Sequence, residues 1–93
     1  MQIKNETELL KELYAEIIKL DNVEECENFL KDLCTIKEVQ AMAQRLKAAK
    51  LLIEGKTYNE VIEETEISSA TLSRVSKCVR YGNGGYGKFI PKE

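Results

Sequence analysis

The sequence predicts an all-α protein of five helices. Three observations carry that prediction. Apolar residues recur at three- and four-residue steps through most of the chain, no segment alternates as a strand does, and the one proline, Pro91, stands near the C-terminal end. At 93 residues, 43% hydrophobic and 32% charged, the chain has material for one domain but can bury only a modest core by itself. The expected organisation is a single all-α domain over 1–81 and a Gly-rich flexible tail over 82–93.

Asn5 and Glu8 have capping-box spacing, and Leu9, Leu10, Leu13, Tyr14, Ile17, Ile18 and Leu20 follow as a wide apolar stripe on the first helix. A monomer of this size cannot cover both edges of that stripe, so the first helix is expected to pack on a second subunit. Asp21 and Asn22 break the pattern and cap a second helix marked by Val23, Cys26, Phe29, Leu30 and Leu33. Thr35 with Glu38 starts a third helix, about Ile36 to Glu54. Its buried face is expected at Ile36, Val39, Met42, Ala43, Leu46, Ala49 or Lys50, and Ile53, with Gly55 as its C-terminal cap. Residues 1–54 read as dimerisation helices and 57–80 as a separate helix pair. Thr57 and Glu60 open the fourth helix, Thr65-Glu66-Ile67 is a turn, and Ser68 caps a fifth helix from about Ser69 to Tyr81. Beyond it, four glycines from Gly82 to Gly87 read as unable to hold a helix, which leaves a flexible arm or an irregular cap.

Composition excludes several classes. No apolar run approaches the roughly 20 residues of a membrane span. The polar start Met1–Glu6 lacks a signal peptide's apolar stretch, so a cytoplasmic location is expected. Three cysteines at unrelated spacings and no histidine predict neither a metal site nor a cofactor. Cys26 and Cys34 fall on apolar faces and read as buried reduced thiols. Without histidine, a Ser/Cys–base pairing or a phosphate loop, an enzyme is not expected.

Net charge is −2, but it is unevenly spread. Residues 1–34 hold four Lys against nine acids, whereas Arg74, Lys77, Arg80, Lys88 and Lys92 stand in a stretch from Ile67 to Lys92 that has no acid. The informative segment overlaps the start of that stretch. Residues 57–80 form two short helices joined by a tight turn, with Val61, Ile62, Ile67, Leu72 and Val75 spaced to fill a small core between them. This is helix-turn-helix geometry, whose second helix reads DNA. Ser68, Thr71 and Ser73 bring hydroxyls to the helix N-terminus, where free N–H groups favour phosphate, and Ser69 and Ala70 face base edges. Arg74 suits guanine or phosphate, and Lys77 and Arg80 suit phosphate. The turn position usually filled by Gly is Glu66, which must accept a left-handed backbone.

Thr35, Gln44-Arg45-Leu46, Leu51-Leu52 before Gly55, Ala70-Thr71-Leu72-Ser73-Arg74 and the Tyr81-Gly82-x-Gly84-Gly85-Tyr86 tail together resemble the Trp repressor superfamily, in particular its YerC/YecD group. The resemblance implies an intertwined homodimer whose two recognition helices face a palindromic operator on double-stranded DNA. It also implies a possible effector pocket at Thr35, Arg45, Arg74, Val75 and Cys78. Val75 stands where tryptophan binders have Gly, and Cys78 where they have Ser, so tryptophan is not the expected effector. The expected function is a sequence-specific transcription regulator. The rival is a non-enzymatic adaptor or antitoxin-like dimer, favoured by the acidic first helix.

Overall fold

Six helices and no strand occupy the described residues, 5–90, in the computed structural model of the chain. They are α1 (Glu6–Ile17), α2 (Val23–Leu33), α3 (Ile36–Ile53), α4 (Tyr58–Thr65), α5 (Ser69–Tyr81) and α6 (Gly85–Phe89). The chain divides into two compact units, Met1–Ile36 and Lys37–Glu93. Apart from its first residue, α3 therefore belongs with the helix pair that follows it.

The first unit holds α1 and α2. Asn5 precedes α1 with φ 57° and makes no side-chain cap, so the expected capping box is absent. A capping side chain needs an extended backbone to reach the amides of the first turn, and a left-handed one does not present it. α1 stops at Ile17 rather than Leu20, because Lys19 and Leu20 donate to Glu16 and Ile17 in a tighter turn. The α2 start is capped as expected. Asn22 accepts from the Glu25 amide at 2.9 Å, and the Glu25 carboxylate accepts from the Asp21 amide at 3.0 Å. No described residue of this unit is buried; Leu13, Leu20, Cys26, Phe29, Leu30 and Cys34 reach only half-burial. Leu9, Leu10, Tyr14, Ile17 and Ile18 are 38–82% exposed, which leaves an apolar face open to solvent.

The second unit contains the core: Ala48, Ala49, Leu51, Val61, Ile67, Leu72 and Val75. The expected buried face of α3 needs correction. Ala49 is buried as expected, but Ile36, Met42, Ala43 and Leu46 are exposed, Val39 and Ile53 half-buried, and the other buried positions are Ala48 and Leu51. Small side chains admit closer backbone approach, so the alanine-bearing face of α3 meets the helix pair and its bulkier apolar face stays open. A Gly cap ends α3. Gly55, at φ +96°, and Lys56 donate back to Leu52 and Leu51, both at 3.0 Å.

α4 opens on the expected capping box, with Thr57 and Glu60 each accepting from the other's backbone amide at 3.2 and 3.0 Å. The turn after α4 is held from two sides. Thr65 Oγ1 donates to the Val61 carbonyl at 2.7 Å and accepts from the Ile67 amide at 3.2 Å. Gln44 Nε2, on α3, donates to the Thr65 carbonyl at 2.9 Å. Glu66 takes the left-handed conformation its position demanded, φ 60° and ψ 19°.

The expected flexible tail also needs correction. A one-turn helix, α6, occupies Gly85–Phe89, making six helices rather than five, and Tyr86 and Ile90 pack on the core. Low helix propensity is outweighed here by apolar contact, while the glycines serve the turn that leads into α6.

Candidate nucleic-acid interface

Helix α5 is sharply two-sided. Leu72, Val75 and Ser76 are buried and Val79 half-buried, which locks one side into the core. Ser69, Ala70, Ser73, Arg74, Lys77 and Arg80 are all exposed on the remaining surface. At 3.6 residues per turn, Ala70, Ser73, Arg74 and Lys77 share one stripe centred opposite Leu72 and Val79. Among the described residues no carboxylate pairs with Arg74, Lys77 or Arg80. The result is a rigidly backed cationic stripe that begins at a helix N-terminus, a combination that attracts polyanions.

The start of α5 is capped by Ser68, which accepts from the Thr71 amide at 3.2 Å. The Ser68 hydroxyl also donates to Thr71 Oγ1 at 2.9 Å. Its proton is therefore engaged, and the hydroxyl left free to donate outward is that of half-buried Thr71. Ser68 serves first as a cap.

Beside this stripe lies a cavity of about 360 Å³ lined by Arg45, Thr71, Arg74, Val75, Cys78 and Tyr86. Four of these, Thr71, Arg74, Val75 and Cys78, stand at i, i+3, i+4 and i+7 and so share one flank of α5. Arg74 borders both the cavity and the exposed stripe. Of the sequence-predicted pocket residues, Arg45, Arg74, Val75 and Cys78 come together here. Thr35 is the exposed residue just before α3, in the first unit. Val75 is 2% exposed and belongs to the core as well as to the cavity wall. Tyr86 was missed. The Tyr81–Tyr86 run was visible, but its glycines were read for flexibility and not for the turn they make.

Among the described residues, no group of three or more His, Cys, Asp or Glu side chains could hold a metal ion. Nor is any helix among them long and apolar enough to cross a membrane. The three cysteines are free, Cys26 and Cys34 half-buried and Cys78 exposed.

The family model of the Trp repressor protein matches residues 8–93. The chain belongs to the Trp repressor family. Within reach of this Trp repressor-type chain lies the uncharacterized protein YerC of Bacillus subtilis, 49% identical over 77 residues, covering 83% of this chain and 74% of YerC. Two crystal structures have the same fold. A Trp repressor candidate from Staphylococcus aureus is 36% identical with a TM-score of 0.87, covering 99% of this chain and all of that one. A TrpR-like protein from Eubacterium eligens is 39% identical with a TM-score of 0.86, covering 91% and 88%. Family membership gives the α4–α5 pair its setting, the all-α fold of a DNA-binding regulator.

Proposed function

We propose that this chain is a dimeric, sequence-reading transcription regulator that lays α5 in the major groove of double-stranded DNA. The single observation that carries the reading is the face of α5. Its cations are exposed and have no carboxylate partner among the described residues, while the opposite side is sealed into the core. In the groove, Ser69, Ala70 and Ser73 approach base edges, Arg74 reads guanine or grips phosphate, and Lys77 and Arg80 grip phosphate. Two copies joined through the open apolar faces of α1, α2 and α3 would set two such helices about one DNA turn, roughly 34 Å, apart on a palindromic operator. Sedimentation of the full chain across a range of concentrations tests the dimer; a monomer at every concentration refutes it.

The functional test is a salt-titrated mobility shift with duplex DNA. Affinity should fall steeply with salt, with a slope of about −0.9 per phosphate contact, and Lys77→Ala should flatten that slope by about 1. Arg74→Ala should weaken binding to the selected site by about 1–3 kcal/mol. Salt-independent or absent binding refutes the reading and favours the rival, a non-enzymatic adaptor or antitoxin-like dimer. The observation behind that rival is the acidic first segment with its exposed leucines and isoleucines.

Tryptophan is not the effector in this reading. Val75 and Tyr86 both stand in the cavity wall, where an indole ring needs space. Micromolar tryptophan binding in a titration calorimeter would overturn this.

A further inference from the structure

We infer that α6 is a built-in strut for the reading helix, with Tyr86 forming a wall of the cavity beside α5 so that α5 holds its pose without a small-molecule effector. The inference rests on α5 being the DNA-reading helix and concerns what positions it. Three observations converge. First, Tyr86 is the cavity-lining residue that comes from outside the α3–α5 framework, and it faces Arg45 on α3 as well as Thr71, Arg74, Val75 and Cys78 on α5. Second, α6 packs on α5, and Tyr86 and Ile90 pack on the core, so α6 has an apolar anchor as well as a polar neighbourhood.

Third, the turn that brings α6 there is built for glycine. A Cβ on Gly82 would lie 2.3 Å from the Cys78 carbonyl oxygen, far inside contact distance and against backbone that cannot yield. Gly82 needs that proximity, since its amide donates to the same oxygen at 2.9 Å and ends α5. Two residues on, Gly84 sits at φ +86°, which side-chain-bearing residues rarely adopt. A tail serving only as a linker has no use for a glycine pressed against the last turn of α5. A segment that must fold back on α5 has.

The physical role follows from the cavity. Arg74 and Val75 are on α5, and Arg45 is on α3; among the described residues no hydrogen bond or ion pair ties these helices together there, so a rigid ring at their junction limits how α5 tilts against α3. A phenol is suited to this position, with an apolar body for Val75 and a hydroxyl that tolerates the guanidinium-rich wall. Tyr86 is thus a positioning residue. It contributes to reading through Arg74 and α5 without itself meeting a base.

The test uses the full chain, refolded from denaturant to strip small molecules, and a duplex that the wild-type protein selects from a random pool. Two readouts are taken: discrimination between that duplex and a scrambled one, and amide hydrogen exchange along α5 without DNA. Wild type should discriminate with nothing added. Tyr86→Ala should lose about tenfold in discrimination and exchange faster along α5. Tyr86→Phe should keep both properties, and excess p-cresol, the missing side chain as a free molecule, should restore them to Tyr86→Ala. Gly82→Ala, whose Cβ would meet the Cys78 carbonyl oxygen at 2.3 Å and so displace α6 as a whole, should reproduce the loss and carries the test if Tyr86→Ala does not fold. A wild type that discriminates only after a small molecule is added overturns the strut. So do a Tyr86→Ala protein with unchanged α5 exchange, or a defect that Phe shares. If no duplex is selected at all, the DNA reading fails, and the exchange measurement still decides the strut.

Discussion

Replacing Glu66 with glycine should stabilise the protein, although it removes a side chain and adds no contact. Glu66 sits at φ 60° and ψ 19°, where its Cβ crowds the neighbouring carbonyl, a strain of about 1–2 kcal/mol for an L-residue. Its side chain makes no hydrogen bond or ion pair among the described residues, and it is exposed, so nothing is lost there. Its backbone amide, which donates to the Ile62 carbonyl at 2.8 Å, survives the change. Against the relief stands the extra freedom glycine gives the unfolded chain, about 0.4–1 kcal/mol. The difference leaves a gain of about 0.5–1 kcal/mol, which for a chain of this size raises the melting temperature by about 2–8 °C. Thermal melts of wild type and Glu66→Gly at one protomer concentration measure it, because association shifts the midpoint of a dimer. Glu66→Ala, which keeps the strain, should not gain. Equal or lower melting of Glu66→Gly would mean that the strain is absent and that the turn is shaped otherwise.

Three further outcomes follow from the same geometry. Leu72→Ala, at a side chain with no exposure, should destabilise by about 2–5 kcal/mol in urea unfolding, and a loss below 1 kcal/mol would place Leu72 outside the core. Gly55→Ala meets no atom within 4 Å but keeps φ +96°, so a loss of about 1 kcal/mol should come from backbone strain alone, and Gly55→Asn should recover part of it. The Thr57 backbone amide, and after it the Thr57 hydroxyl, hold the Glu60 carboxyl below its ordinary value of 4.5. A lowered folded-state value stabilises α4 above that ordinary value, and the contribution is lost as pH falls through the folded one. In an NMR titration, Thr57→Ala, which keeps the amide and removes the hydroxyl, should therefore move the Glu60 midpoint up by the smaller share only, and an unmoved midpoint would remove the hydroxyl's contribution.

The helices were legible because periodicity and caps act locally. Asn22, Thr57, Gly55 and Ser68 all fall where the chain turns, and each satisfies amides or carbonyls that the helix end leaves bare. Asn5 shows the limit, since spacing to Glu8 says nothing about the backbone angle that decides whether a side chain can cap. The faces of α3 were harder to assign. Its apolar residues form two stripes, and periodicity places Ile36, Met42 and Leu46 on one buried face with Ala49, whereas of these four Ala49 alone is buried. Contact with a neighbouring helix depends on how closely two backbones approach, and within the second unit alanine wins that contest.

The candidate site divides along the same line. Arg45, Arg74, Val75 and Cys78 could be expected together because a family resemblance carries long-range proximity that periodicity cannot. Tyr86 could not be placed by propensity, which treats glycine as an average loss of helix stability and is blind to where each one stands. At Gly82 the missing Cβ is what lets the chain pass the Cys78 carbonyl, and at Gly84 it permits a left-handed step. Both losses of propensity are local, while the gain appears only when Tyr86 and Ile90 reach the core. A glycine run after a cationic helix is therefore better read by asking which aromatic residue its turn would deliver, and onto which face, than by counting its glycines.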